Sequence, residues 1–395
     1  MNVKVFHTTM MILIPTLVIA GGVSIIAWRV VLASALPPFW NRLLLGIVIA
    51  PIFFPALLFV LKYVDQELWF DRLLALSFMV TGFFSFLLIF ALFRDALHGG
   101  FVLLLRVSES LASGSGTLPG QISFVSEKVF SPLANTFILL LSLGLFAAGL
   151  SQALSFPRIK QVTIPVAGLH PALHGFKIVQ LSDIHLDVMT NGRVLEKIVQ
   201  KVNEIGPDMT AITGDLVDGS VRKRGADAKI LERIASPVFF VNGNHEYYFN
   251  APLWNRFLSS IGVTVLNGDT RTIKKGAAKI VVGGISDLRM AGRLNREAAI
   301  PKVQEADFHL LLSHRPGAAF EASRMGYDLQ LSGHTHGGQF FPWTLFIQLV
   351  EPFAKGINRH NGMWIYTSLG TGFWGPPVRL FAPQEITVLT LQGSP

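Results

Sequence analysis

The sequence predicts two unlike halves: an N-terminal four-helix transmembrane region and, from about residue 160, a layered α/β domain with substantial parallel strand pairing. Three observations predict this. Four long apolar runs precede residue 157, short β-branched runs then alternate with helical patterns, and the residues just past five of those strand runs are Asp, His or Asn.

The chain has 395 residues, of which 51% are hydrophobic and 15% charged. Its mean hydropathy of +0.48 is high for a soluble protein, and most of the excess lies before about residue 157. The net charge is +8. No Lys/Arg run is interleaved with aromatics, so nucleic acid is not an expected partner; an anionic membrane surface or a phosphorylated substrate accounts for the charge as well. With no cysteine, disulfides, thiolate catalysis and zinc–thiolate sites are excluded, while the compartment stays open.

A bilayer core needs about 20 apolar residues as helix, and each run is long enough. Spans are expected at about 8–28, 43–61, 73–93 and 130–155, giving a transmembrane domain over 1–157 and a second domain over 158–395. Pro51 and Pro55 predict a kink in the second span, which neighbouring helices make tolerable. Phe101 to Leu105 is too short to span and reads with the residues to Ala112 as an interfacial or re-entrant piece; Ser113 to Gly116 reads as a flexible loop. Trp28, Trp40 and Trp69 lie near run ends, where interfacial anchors belong. Four spans put both termini on one side. Lys4, Lys62, Arg72, Arg158 and Lys160 fall on that side, against Arg29, Arg42, Arg94, Arg106 and Lys128 on the other, so the positive-inside rule ties. The expectation is a multi-pass protein of a bacterial inner membrane, with the catalytic domain's side undecided and the cytoplasm favoured. No run carries an internal Asp, Glu, Lys or Arg, so the helices read as anchor and substrate guide rather than as a transport path.

Beyond residue 160, strands are expected at 176–181, 209–213, 238–241, 279–284, 308–312, 329–331, 364–367 and 385–391, and helices at 194–204, 226–235, 252–261 and 317–325. In parallel sheets, sites form beyond the carboxyl ends of the strands. There stand Asp183 and His185, then Gly214-Asp215, then Gly243-Asn244-His245-Glu246, then His314, then Gly333-His334-Thr335-His336-Gly337-Gly338. His334 and His336, two apart, face one side of an extended backbone, and the glycines let other groups approach. Mixed oxygen and nitrogen donors without sulfur suit Mn²⁺, Fe or Zn²⁺ better than Ca²⁺ or Mg²⁺ alone. Two such ions, roughly 3.5–4 Å apart, can clamp a phosphoryl group and activate water, with a shared carboxylate between them. Asp215 is central in the order, and His245 is placed to donate a proton or to stabilise charge.

These blocks resemble the calcineurin-like metallophosphoesterases, whose pattern is Asp-x-His, Gly-Asp, Gly-Asn-His-Glu/Asp, His and Gly-His-x-His; all are present in order over about residues 175 to 392. The resemblance implies a four-layer α/β/β/α sandwich with a two-metal site. It places Asp183, His185, Asp215 and His336 on one ion and Asp215, Asn244, His314 and His334 on the other, with His245 catalytic. Ser368 to Gly372, and the stretch from Pro377 to Phe381, look like the membrane-associated bacterial branch.

Arg379 is a candidate for substrate phosphate or for a structural salt bridge. Asp187 and Asp218 read as supporting or loop-capping groups, Glu246 as a loop orienter, and His170, His174, His309 and His360 as ordinary histidines. The apolar stretch Phe340 to Phe353 is either a core helix or a lip dipping into the membrane. The function expected is an integral membrane dimetal hydrolase of a phosphoester or pyrophosphate bond in a lipid or lipid-linked substrate: a phospholipid, a lipid A precursor or a polyprenyl phosphate. The alternatives are a membrane-anchored phosphodiesterase for a soluble nucleotide-like substrate, and a membrane sensor or scaffold with a structural metal site.

Overall fold

The computed structural model describes residues 21, 30–31, 33–43, 46, 68–111, 118–287 and 299–394. The first two expected spans, the kink at Pro51 and Pro55, and the loop at 113–116 lie largely or wholly outside the described residues. The chain divides into two compact units, Met1–Leu150 with Gly375–Pro377, and Ser151–Trp374 with Val378–Pro395.

In the first unit, α1 spans Leu68–Leu111, α2 Leu118–Val129 and α3 Pro132–Ala153. Two stretches among the described residues are long and apolar enough to cross a membrane, Asp71–Leu111 and Gly120–Ala153. They correspond to the third and fourth of the four expected spans; the first two fall largely on residues outside those described. Residues Phe101 to Leu105 form no separate re-entrant piece; they continue α1, whose 44 residues run about 66 Å at 1.5 Å each. That exceeds the ~30 Å of a bilayer's hydrocarbon, so α1 is longer than one straight crossing needs. Asn135 of α3 ties the bundle together: it accepts from Arg94 of α1 and donates to the carbonyl of Ala33 at 3.2 Å. Such pairing is what keeps polar groups tolerable among apolar helices.

The second unit is built on two six-stranded sheets. In the first, β1 (Arg158–Ala167), β12 (Glu385–Ser394), β2 (Lys177–Leu181), β3 (Met209–Ile212), β4 (Val238–Phe240) and β5 (Thr264–Val265) lie side by side. Only the β12–β2 pair is antiparallel. In the second, the order is β10 (Gly356–His360), β11 (Met363–Thr367), β9 (Leu329–Ser332), β8 (Phe308–Ser313), β7 (Ala278–Ile285) and β6 (Asp269–Lys275). Its two edge pairs are antiparallel and its centre is parallel.

Strand alternation decides the layers. Ile178, Met209, Ala211 and Phe239 of the first sheet meet Ile280, Val282, Leu310, Leu312 and Leu331 of the second in one core between the sheets. The intervening Val179, Leu181, Ile212 and Phe240 point the other way, onto Leu195, Ile198, Val199 and Val202 of α4 (Gly192–Ile205) and onto Trp254 and Leu258 of α7 (Ala251–Ser260). Leu311 and Ile365 likewise turn away from the shared core, toward Ala318, Ala319 and Ala322 around the short helix α8 (Ala319–Ala322). The result is helix, sheet, sheet, helix.

Local departures have local causes. The helix expected at 226–235 begins earlier, as α5 (Val221–Ala228), and continues as a 3₁₀ turn to Arg233. That expected at 317–325 shortens to a 3₁₀ turn plus α8, since Pro316 and Gly326 bracket it. The stretch after residue 340 forms α9 (Trp343–Val350) but not a core helix. Trp343 is 51%, Leu345 63%, Phe346 50%, Leu349 83% and Val350 80% exposed, and its one buried residue is Thr344.

Candidate metal centre

Every motif residue stands just past the carboxyl end of a strand, Asn244 and His245 on the short helix α6 (Asn244–Tyr248), His336 on a 3₁₀ turn and the rest on loops, and these segments converge where the two sheets' central strands end. The backbone there is sharply turned. Asp183, His185, Asp215, His334 and His336 all have positive φ, between 49° and 72°, a region non-glycine residues rarely occupy. Two glycines make the convergence possible: a Cβ on Gly243 would strike the Asp215 carboxylate, and one on Gly333 would strike the Ser182 hydroxyl and the Asp183 carboxylate.

Asp215 sits at the middle. Its Oδ1 accepts the His245 amide at 2.9 Å, which turns Oδ2 toward the imidazoles. Oδ2 lies 3.1 Å from His314 Nε2 and 3.9 Å from both His185 Nε2 and His245 Nε2. On one side, His336 Nε2 is 3.2 Å from His185 Nε2 and 3.4 Å from Asp183 Oδ1. On the other, His314 Nε2 is 3.2 Å from Asn244 Oδ1 and 3.1 Å from His334 Nδ1. Three overlapping groups have donor atoms within 4.8 Å of one another: Asp183, His185 and His336; His185, Asp215 and His245; Asp215, His314 and His334. All eight predicted metal and catalytic residues are thus brought together, and seven are buried.

The surroundings hold these donors in place. His314 Nδ1 donates to the Thr213 carbonyl at 2.8 Å, leaving Nε2 directed at the centre. Asp218 receives the Nδ1 edges of both His185 and His245. Glu246 accepts the amides of Asp215 at 3.0 Å, Leu216 at 2.8 Å and Gly243 at 2.7 Å, fixing two motif loops to each other. Asp187 caps Met189 and Thr190. His170 caps a 3₁₀ turn, His174 accepts from Gly393, His309 pairs with Asp328, and His360 packs on Phe320.

Electrostatics divide the imidazoles. Burial works against charge on His314 and His185, but Asp215 and Asp218 respectively, with Asp183, outweigh it, raising them to about 10 and about 9. Burial, with the nearby cations, drives His334 down to about 2 and His336 well below its ordinary value. Burial also opposes charge on Asp215 and Asp218, yet the surrounding histidines hold both carboxyls well below the usual range. Asp183 is pushed up, chiefly by burial. Buried carboxylates drawing protons onto adjacent imidazoles are balancing negative charge that a divalent cation balances equally well. The donor chemistry therefore fits metal.

Arg379 is placed differently from the substrate contact considered for it. It is fully buried, and its guanidinium reaches the carbonyls of His336 at 3.2 Å, Leu369 at 2.7 Å, Ala382 at 3.2 Å and also Gly372. With Nη2 2.8 Å from His336 Nδ1, it braces the metal loop from beneath. Sequence reasoning missed Arg315. Its Nε lies 2.6 Å from Asp287 and its Nη1 2.5 Å from His334 Nε2, on the partly open side of the site. A cation next to His314, a candidate ligand, was the available signal. Tyr248 and Trp374, both about half exposed, flank the His245 ring at 5.0 and 5.6 Å.

Comparisons with known proteins bear on the same residues. The family model for calcineurin-like phosphoesterases matches residues 176–338. A transmembrane protein with metallophosphoesterase domain from Danio rerio is 33% identical over 335 residues, 80% of this chain and 73% of that protein. The Bos taurus protein of the same description is 34% identical over 276 residues, covering 64% of this chain and 61% of its own length. An uncharacterized metallophosphoesterase of Campylobacter jejuni is 34% identical over 267 residues, 65% of this chain and 69% of that protein. The chain belongs to the calcineurin-like metallophosphoesterases, metal-dependent phosphoric ester hydrolases with a binuclear divalent site.

Proposed function

We propose that this chain is a membrane-anchored dimetal phosphoesterase acting on the phosphate of a lipid or lipid-linked molecule. Asp183, His185, Asp215 and His336 hold one ion; Asp215, Asn244, His314 and His334 hold the other. The observation that carries the assignment is Asp215: its Oδ2 faces His185 on one side and His314 on the other. When bound, two divalent ions supply positive charge for the phosphoryl oxygens and acidify water. His245 is the acid. Asp218 grips its Nδ1, which leaves Nε2 toward the centre to donate a proton to the departing oxygen. Arg315, gripped by Asp287, supplies a further positive charge for a phosphoryl oxygen.

The lipid part of the reading rests on the apolar helices of the same chain and on relatives named as transmembrane proteins. The test uses the full chain in lipid nanodiscs loaded with Mn²⁺. Expected are two metals per chain, hydrolysis of bis(p-nitrophenyl) phosphate, and release of phosphate or headgroup from membrane lipid extracts. Hydrolysis of nucleotides with no lipid turned over would overturn the lipid reading in favour of a soluble nucleotide-like substrate. Two bound metals with no hydrolysis of any phosphoester would return the sensor or scaffold.

A further inference from the structure

A surface helix of a globular domain turns its apolar stripe inward. Helix α9 does the reverse: it carries no charged residue, buries Thr344, and exposes Trp343, Leu345, Phe346, Leu349 and Val350. The apolar surface extends beyond the helix. Phe381, 74% exposed, stands edge-on to Phe341 at 6.2 Å, and the Phe341 amide donates to Leu380 at 3.1 Å. It also reaches the catalytic edge. The Gln339 side chain donates to the Trp374 carbonyl at 2.8 Å and accepts the Trp374 amide at 3.0 Å, and the Trp374 ring meets His245. A Cβ on Gly338 would collide with the backbone of Trp343 and Thr344, so α9 is seated directly on the metal loop.

We propose that α9, with Phe381 and Trp374, dips into the boundary between acyl chains and headgroups of the bilayer, setting the metal centre at headgroup level. Lipid is the occupant for three reasons. The chain already carries helices able to span a membrane, and only residues 154–157 separate α3 from β1, a tether of at most ~14 Å when extended. The patch combines tryptophan and phenylalanine with aliphatics, as interfacial helices do, and exposed Lys355 and Arg359 follow it, suited to anionic headgroups. The Trp374 ring at one end of the patch meets His245, and lipid seated on the patch brings its own phosphates to that position. The proposal deepens the lipid-substrate reading and rests on it for its purpose.

The chain has no cysteine, so one introduced thiol labels one place. Full-length protein carrying Leu349→Cys or, as an independent second position, Val350→Cys is labelled with an environment-sensitive dye and reconstituted in phosphatidylcholine–phosphatidylglycerol vesicles. Lys197→Cys, on the exposed face of α4, is the control. Lipids bearing a nitroxide on the acyl chain should quench emission at 349 and 350 and leave 197 bright. Dyes at 349 and 350 that ignore the lipid quencher overturn the proposal, whether aqueous iodide reaches them, as for a helix in water, or fails to, as for one covered by protein. Quenching equal at all three positions overturns it too. The measurement needs no turnover. Quenching at 349 with no lipid hydrolysed would sink the substrate reading and leave the docking surface standing; lipid hydrolysis without quenching would do the opposite.

Discussion

The two sheets of the catalytic domain reach the metal centre with different chemistry. The first, through the loops after β2, β3 and β4, supplies every oxygen donor, Asp183, Asp215 and Asn244, together with His185 and His245. The second, through the loops after β8 and β9, supplies imidazoles alone: His314, His334 and His336. Negative charge therefore comes from one sheet, while the other completes and closes the donor set. The first sheet alone groups His185, Asp215 and His245; the other two donor groups need both sheets. Asp183 is held by the His334 amide at 3.0 Å, 151 residues away, and Gln180 donates across to Ser332 at 2.8 Å. The full donor set exists only where the two sheets, which share an apolar core, meet.

If charge from the first sheet dominates, Asp215→Asn is the most damaging single change. Removing the charge of Asp215, proposed to be shared by both ions, should lower metal content below two per chain and cut turnover by far more than the 10–100-fold typical of outer-shell partners. The fold should survive, since the carboxamide oxygen can still accept the His245 amide. Near-wild-type hydrolysis by a metal-loaded Asp215→Asn protein would break the comparison.

The contrasting change in the second sheet is His314→Ala. It should remove one metal equivalent and spare the other, because Asp183, His185 and His336 remain together. Loss of both metals by elemental analysis would mean the two ions are not separable in this way.

His245→Ala sharpens the picture within the first sheet. The geometry also groups His245 with His185 and Asp215, so it is within reach of being a ligand. As the acid, its removal should leave two metals bound and lower kcat on the order of 10²-fold or more. A missing metal equivalent would reassign it.

The smallest effect is expected for Asp218→Asn, which keeps its shape while losing the charge that orients two imidazoles. A fall of roughly 10–100-fold is the scale for such partners. The alkaline limb of the pH–rate profile, set by the group that must be protonated, should move to lower pH as well, which a purely structural role would not produce. An unchanged rate and profile would leave Asp218 a loop residue only.

Much of this was legible in the chain itself. Short apolar, β-branched runs marked the central strands, because one face of each had to meet the other sheet and one face a helix. Glycine beside Asp, Asn and His marked the loops at the strand ends. Other features were not legible. Edge strands β1, β6 and β10 have mixed, partly exposed faces and so carry no clean period. Arg379 stood open between a phosphate contact and a structural salt bridge, because nothing local shows that four carbonyls would enclose it. Asp218 and Arg315 took their tasks from partners 19 to 33 residues away.

The sequence by itself determined the donor types, their order, and the division into apolar helices and α/β strands, because these follow from composition and periodicity over short windows. Tertiary structure decided which imidazole faces which carboxylate, why five site residues accept a left-handed backbone, and that α9 turns outward. The physical reason is range. Hydrophobic period and turn chemistry act over a few residues, whereas the site is held by bonds between loops up to 189 residues apart, made only where the two sheets share a core.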